Sequence, residues 1–168
     1  VHNTAALILI SGFGMMVLGY VLAPVYLKLV RTPEHILEPS AGYLRIYFLS
    51  FLSIVLYNFG SGILRALGDS RTPLYAQLAG GLMNVGMDYL FIRVLNQGIN
   101  GVAWATLISQ TVSAGFIFYS LVTLDPQYAL RPEKLAFNRE MMKETLAIGI
   151  PAGVQSLVIT LSNAIVQY

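Results

Sequence analysis

Long apolar stretches alternate with short polar segments along the whole chain. Each stretch reaches the roughly 20 predominantly apolar residues that an α-helix needs to cross the hydrocarbon core of a bilayer. The period-two alternation of a membrane β-strand is not seen, and a helix satisfies its backbone polar groups within the segment. The pattern predicts an all-α polytopic membrane protein with transmembrane helices over residues 5–30, 43–67, 73–95, 102–124 and 146–168.

Composition supports a membrane setting. The 168 residues are 56% hydrophobic and 11% charged, whereas a soluble domain has about a quarter charged residues. A net charge of +2, scattered along the chain, gives no reason to expect a nucleic-acid partner. The chain contains no cysteine and its histidines, His2 and His35, lie far apart, which excludes disulfides, thiolate metal sites and zinc-type spacing. Membrane lipid is the expected surrounding.

The polar links predict how the helices are joined. Gly68 can adopt the left-handed conformation that ends a helix, and Pro73 suits the first turn of the next one. The longest link, 125–145, contains Asn138, which could cap a short helix leading into the last span. Since the chain begins without Met and ends inside an apolar stretch, we expect a piece of a longer polytopic protein.

Basic residues near the span ends predict the orientation. One side has Lys28, Arg31, Arg45 and Arg93, and the other has Arg65, Arg71, Arg131, Lys134, Arg139 and Lys143. Cytoplasmic ends of membrane helices are enriched in Lys and Arg, so the second side is expected to be cytoplasmic.

Asp88 is the most informative polar residue, because it lies inside an apolar stretch with Asn84 one turn before it. Ionisable groups in membrane helices usually face the protein interior or a water-filled cavity and handle ions or protons. The alternative is that Asp88 reaches the membrane interface and pairs with Arg93, about 7.5 Å further along the helix axis.

Other polar residues recur at helical spacing, which puts them on single faces of the predicted helices. These stripes are Tyr57, Asn58, Ser61 and Arg65; Gln77, Gly80, Gly81, Asn84 and Asp88; Thr106, Ser109, Gln110 and Ser113; and Ser156, Thr160, Asn163 and Gln167. The alternative for the Ser and Thr hydroxyls is bonding to their own helix's carbonyls, and for Arg65 a solvated loop flank is the favoured interpretation. We expect Gln77, Tyr57, Asn58, Gln110, Ser156 and Asn163 to line a cavity.

Asp88 has the chemistry for ion coupling. A carboxylate can take up and release a proton, while its oxygens together with those of Asn84 and Thr106 also suit Na⁺. H⁺ and Na⁺ therefore both stay open, and no cofactor is expected. Because the spans contain no arrangement of nucleophile and base, we predict that the chain is not an enzyme.

Four segments resemble the multidrug and toxic compound extrusion (MATE) transporters. Residues 57–73 (YNFGSGILRALGDSRTP) resemble the signature of the family's fourth helix, and residues 84–92 (NVGMDYLFI) resemble its fifth. Residues 98–110 (GINGVAWATLISQ) are similar to the start of the sixth, and residues 149–156 (GIPAGVQS) to the start of the seventh. The resemblance covers nearly the whole chain in order.

The resemblance implies an internal fragment, helices three to seven, of a twelve-helix antiporter with two lobes. Residues 1–124 would belong to the first lobe, 125–145 to a cytoplasmic connector and 146–168 to the second lobe. It implies export of cationic or amphiphilic organic compounds in exchange for H⁺ or Na⁺ across a bacterial or archaeal plasma membrane. Asp88, Asn84 and Thr106 match the family's coupling-ion site, which also uses a first-helix Asp outside this chain.

Two other functions stay open. A flippase of the same superfamily would move a lipid-linked sugar. Its cavity would be expected to contain several cationic residues that bind the pyrophosphate, and none lies in the middle of a predicted span here. A non-transporting membrane scaffold would show no substrate-dependent ion flux.

Overall fold

The computed structural model describes residues 2–123 and 139–166, and the regular structure in that part of the chain is helical. The elements are α1 (His2–Leu29), α2 (Glu34–Ala66), α3 (Arg71–Tyr89), a π-helical turn (Leu90–Val94), α4 (Gly98–Val122) and α5 (Arg139–Val166). The predicted all-α fold with five helices is confirmed. α5 begins ahead of its predicted span, at Arg139, directly after Asn138, which itself lies outside the described residues.

The helices differ in how well they suit a bilayer. Among the described residues, Ile8–Leu29, Glu34–Ala66 and Gly98–Val122 are long and apolar enough to cross a membrane. α3 has 19 residues and includes the polar stripe, so it depends on the π-helical turn for additional length. In α5 the apolar part is Ala147–Thr160. Crossing by these two helices stays a prediction.

α4 is the central helix, and its neighbours have a clear register. The positions of Gly60 beside Ile117 and Gly42 beside Asn100 show that α2 runs parallel to α4. The positions of Gly80 beside Ser113 and Gly101 beside Phe91 show that the chain from α3 onward runs antiparallel to α4. α2 and α3 both pack extensively on α4 and touch each other much less. The two helices therefore form a wedge that α4 closes at the back.

The core lies between these three helices. Its buried side chains come from α2, α3 and α4: Tyr57, Leu64, Ala76, Ala114, Ile117 and Leu121. α1 packs on α2, where Gly19 lies against the ring of Phe48, and the Arg45 guanidinium lies 5.8 Å from the Tyr20 ring centroid. Large apolar side chains along α1 and α5 are exposed, as expected for surfaces facing lipid or apolar protein.

The turn between α2 and α3 is tightly hydrogen-bonded. The Gly68 N–H donates to Arg65 O at 3.0 Å and the Asp69 N–H to Leu64 O at 2.8 Å, which is the Schellman pattern of a helix end. Gly68 has φ +89°, so its predicted left-handed conformation is confirmed. One Asp69 carboxylate oxygen accepts the N–H groups of Arg71 and Thr72, each at 3.0 Å, and so caps α3.

Gly80 brings α3 very close to α4. A Cβ at this position would overlap Ser113 Oγ and lie 3.2 Å from Ser109 O. Ser113 Oγ donates a hydrogen bond to Ala76 O at 3.0 Å, so the hydroxyl fills the space that the missing side chain leaves. Neighbouring Gly81 has nothing within 4 Å of the corresponding Cβ position.

We expect Gly80→Ala and Gly81→Ala to have opposite effects on stability. Alanine gains about 0.5–1 kcal/mol over glycine within a helix, but overpacking costs about 1–3 kcal/mol, and only Gly80→Ala overpacks. Thermal unfolding of the full-length protein in detergent should therefore show a lower Tm for Gly80→Ala and an unchanged or higher Tm for Gly81→Ala. Equal Tm values would contradict the close approach.

Asp69 should make α3 acid-sensitive. Hydrogen bonds from Thr72, first from its hydroxyl and then from its N–H, keep the pKa of the Asp69 carboxyl below its ordinary value of 3.8. A carboxyl group whose pKa is lower in the folded state increases the free energy of unfolding at pH values above its unfolded-state pKa. This contribution is lost as the pH falls through the folded-state pKa. We expect Asp69→Ala to lower the Tm near neutral pH and the difference to vanish in acid.

Asp69→Asn is the matched control for this prediction. An amide oxygen also caps a helix but does not titrate, so this variant should keep most of the Tm near neutral pH without the acid-dependent loss at this position. A Tm difference between wild type and Asp69→Ala that persists below the folded-state pKa would count against capping by the ionised carboxylate.

Candidate functional site

A polar cavity of about 360 Å³ occupies the wedge between α2, α3 and α4. Three of the predicted polar stripes meet there, because each is on the face that its helix turns towards the wedge. The lining residues are Ile54, Tyr57, Asn58, Arg65, Gln77, Gly80, Gly81, Asn84, Thr106, Ser109, Gln110 and Ser113.

Most of the predicted site residues lie in this cavity. Those that line it are Asn84, Thr106, Gln77, Tyr57, Asn58 and Gln110. Ser156 and Asn163 are exposed on α5, and they line no part of the cavity because α5 packs against α1. Asp88 is not among the lining residues either, although it is on the same face of α3 as Asn84, one turn further on.

Asp88 is set apart by the environment of its carboxylate. The side chain is partly buried, and its Oδ1 atom is enclosed without a hydrogen-bond partner among the described residues. Pairing with Arg93, the alternative weighed from the sequence, is therefore not made through this oxygen. An enclosed carboxylate oxygen without a partner is costly, and a proton or a cation would remove that cost.

Two hydroxyls of the α4 stripe, those of Thr106 and Ser109, bond to their own helix, as the sequence alternative allowed. Thr106 Oγ1 donates to Val102 O at 3.0 Å, and Ser109 Oγ donates to Thr106 O at 3.0 Å. Each hydroxyl has one hydrogen and two lone pairs. Because the hydrogen is used within the helix, the lone pairs remain available as acceptors, so Thr106 can offer the cavity an electron-rich oxygen.

A buried tyrosine connects two walls of the cavity. Tyr57 Oη on α2 lies 3.0 Å from Pro73 O and 2.9 Å from Gln77 Oε1, both on α3. The hydroxyl has a single hydrogen to donate, so the two acceptors share it. Asn58, the next residue, donates from Nδ2 to Ile54 O at 2.8 Å, and its amide oxygen accepts no hydrogen bond from the described part of the chain.

Arg65 is the charged residue among those that line the cavity. Sequence analysis favoured a solvated loop flank for it; the residue is indeed exposed, and it also lines the cavity. Its helical spacing to Asn58 was the available signal, since residues seven apart share a helix face. The lining as a whole is otherwise neutral, with amides and hydroxyls.

Comparison with known proteins identifies the family. Residues 1–90 match the family model described as MatE, which is more than half of the chain. The chain belongs to the MATE family. The expected family is thus confirmed, and the MATE membership agrees with the prediction of an integral membrane protein that is not an enzyme.

Relatives and solved structures support the MATE assignment. The chain is 35% identical to the probable multidrug resistance protein YpnP of Bacillus subtilis over 95% of its own length and 36% of the relative's. It is 24% identical to the multidrug export protein MepA of Staphylococcus aureus, covering 76% of the chain and 28% of the relative. The chain spans about a third of the length of these curated relatives.

The fold matches solved MATE structures over the same extent. A crystal structure of MATE in the bent conformation superposes with a TM-score of 0.86 at 28% identity, covering 95% of this chain and 37% of that one. An inward-facing multidrug resistance MATE transporter gives a TM-score of 0.78 at 29% identity, covering 89% and 35%.

Proposed function

We propose that this chain is part of a MATE antiporter that exports cationic or amphiphilic organic compounds in exchange for H⁺ or Na⁺. The relatives named as multidrug resistance and multidrug export proteins support this proposal. In the full-length protein, residues 1–124 would belong to the first lobe, 125–145 to the connector and 146–168 to the second lobe of a twelve-helix transporter. We further propose a bacterial or archaeal plasma membrane as its location.

The observation behind the coupling role is the enclosed Oδ1 atom of Asp88, which has no partner among the described residues. Asp88 lies one helical turn from Asn84, which lines the cavity together with Thr106. Ionisable groups inside membrane proteins characteristically mark ion pathways and proton relays. A carboxylate that gains a partner only when an ion arrives is suited to bind and release that ion in each cycle.

The two candidate ions would use this arrangement differently. A proton would bind to the Asp88 carboxylate and would need no other oxygen. Na⁺ would need several oxygens at once, as transporters provide from carboxylates, amides and unwound backbone, and here Asn84 and Thr106 would supply neutral oxygens. The carboxylate of the first helix, which the family resemblance implies, lies outside this chain.

Asp88→Asn in the full-length protein should abolish ion-driven export, because an amide carries no negative charge with which to bind a proton or a cation. Export of a fluorescent cation such as ethidium from energised cells or vesicles measures this. Asp69→Asn, the same substitution at the helix cap, is the control and should keep transport. Efflux by Asp88→Asn at the wild-type rate would refute the coupling role.

Thr106→Val and Thr106→Ser test the neutral oxygen. Valine keeps the shape but removes the oxygen, so the Na⁺ concentration for half-maximal transport should rise about tenfold, the size expected for one polar contact to a charge. Serine keeps the oxygen and should behave like wild type. If the ion is H⁺, neither variant should change the Na⁺ dependence, so the pair also distinguishes the two ions.

The flippase alternative gains little from the cavity. A lipid-linked pyrophosphate would need several cationic groups, whereas Arg65 is the charged residue that lines this cavity. Two assays in reconstituted vesicles distinguish the functions: an antiporter should transport an organic cation, and a flippase should transport a lipid-linked sugar. A scaffold would move neither.

A further inference from the structure

The contact between Tyr57 and Gln77 lies where α2 and α3 are otherwise weakly joined. Both helices pack mainly on α4 and have few contacts with each other. Tyr57 Oη reaches across the wedge to Gln77 Oε1 at 2.9 Å and to Pro73 O at 3.0 Å. We call this pair of contacts the Tyr57 bridge.

The Tyr57 bridge lies between the two ends of the cavity along the helix axes. Arg65 lines the end near the α2–α3 turn, about 12 Å from Tyr57 along the axis of α2. Asn84 lines the opposite end, about 10 Å from Gln77 along α3. Tyr57 and Gln77 themselves line the cavity, so the bridge lies between its charged end and the polar part, called here the chamber, that Asn84, Thr106 and Gln110 line.

The two partners differ in how firmly they are held. The Tyr57 side chain is 9% exposed and belongs to the buried core, so its ring is fixed by packing. Gln77 is exposed, and its amide can turn away. Since one phenolic hydrogen serves two acceptors, the contact to Gln77 can break while that to Pro73 O persists. A net hydrogen bond changes an equilibrium by only about two- to tenfold, which suits a contact that opens and closes.

We propose that the Tyr57 bridge is a gate that controls passage between the Arg65 end of the cavity and the Asn84–Thr106 chamber. Tyr57 is a positioning residue: its hydroxyl holds the Gln77 amide across the wedge, while Gly80 keeps α3 against α4. With the bridge closed, small species reach the chamber slowly; with the contact to Gln77 broken, the Gln77 side chain turns out of the wedge and the passage widens. The gate does not depend on whether Asp88 couples an ion.

Cysteine accessibility tests the gate directly. The 168 residues contain no cysteine. Gly81 lines the cavity and has open space at its Cβ position. Gly81→Cys therefore places a reporter in the cavity without a clash. The measurement is the labelling rate of the purified full-length transporter, made free of any other cysteine, with a polar methanethiosulfonate reagent. In a Tyr57→Phe background the rate should rise about fivefold, and more for a bulky reagent than for a small one.

Gly86→Cys is the matched control reporter. Gly86 is exposed on the same helix, has open space at its Cβ position and does not line the cavity. Its labelling rate should be the same with Tyr57 and with Phe at that position. Equal acceleration at both reporters would mean general loosening of α3, and no acceleration at Gly81→Cys would mean that the bridge gates nothing; either result overturns the proposal.

Gln77→Leu provides a second, independent variant. It removes the exposed acceptor and leaves the contact of Tyr57 with Pro73 O, so labelling of Gly81→Cys should accelerate by less than in Tyr57→Phe. Combining both substitutions should give no more than the Tyr57→Phe rate, because contacts within one network are not additive. If Tyr57→Phe does not fold, Gln77→Leu decides alone: an unchanged rate at Gly81→Cys overturns the gate.

Discussion

At Gly80 the backbone of α3 lies directly against Ser113 of α4, with no side chain between them. Lipid gives helices little hydrophobic reason to associate, so close packing and interhelical hydrogen bonds have to hold them together. The Ser113 bond to Ala76 O supplies both at one point. Because α3 is fixed to α4 here, and touches α2 only sparsely, the polar faces of the three helices enclose a cavity instead of packing shut.

The polar groups in and beside the cavity differ in whether their hydrogen bonds are made. Hydroxyls such as that of Thr106 give their hydrogens to their own helix, so their role in the cavity does not depend on pH. Arg65 is the charged group in the lining. Asp88 lies just beyond the lining, and its enclosed Oδ1 atom has no hydrogen-bond partner among the described residues. The groups that line the cavity thus mostly have their hydrogen bonds made, whereas this neighbouring carboxylate oxygen does not.

Local sequence signals predicted much of this arrangement. The glycine at position 68 indicated a left-handed helix end, and the spacing of Asn84, Thr106 and Gln110 placed them on faces that do meet in one cavity. Which faces meet is a property of packing, so the sequence did not show that α5 turns Ser156 and Asn163 elsewhere. It also did not reveal the π-helical turn after α3, because Leu90–Val94 has an ordinary apolar composition.

The hydrogen-bonded turn between α2 and α3 has a mechanical consequence. Gly68 and Asp69 close the end of one helix and the start of the next within a few residues, which makes the turn a short, stiff pivot. The contact of Gly80 with Ser113 lies about 14 Å further along α3 than Arg71, so the first half of α3 is held at both of its ends. Movement of α3 is therefore concentrated beyond Gly80, in the part of the helix that leads past Asn84 to Asp88.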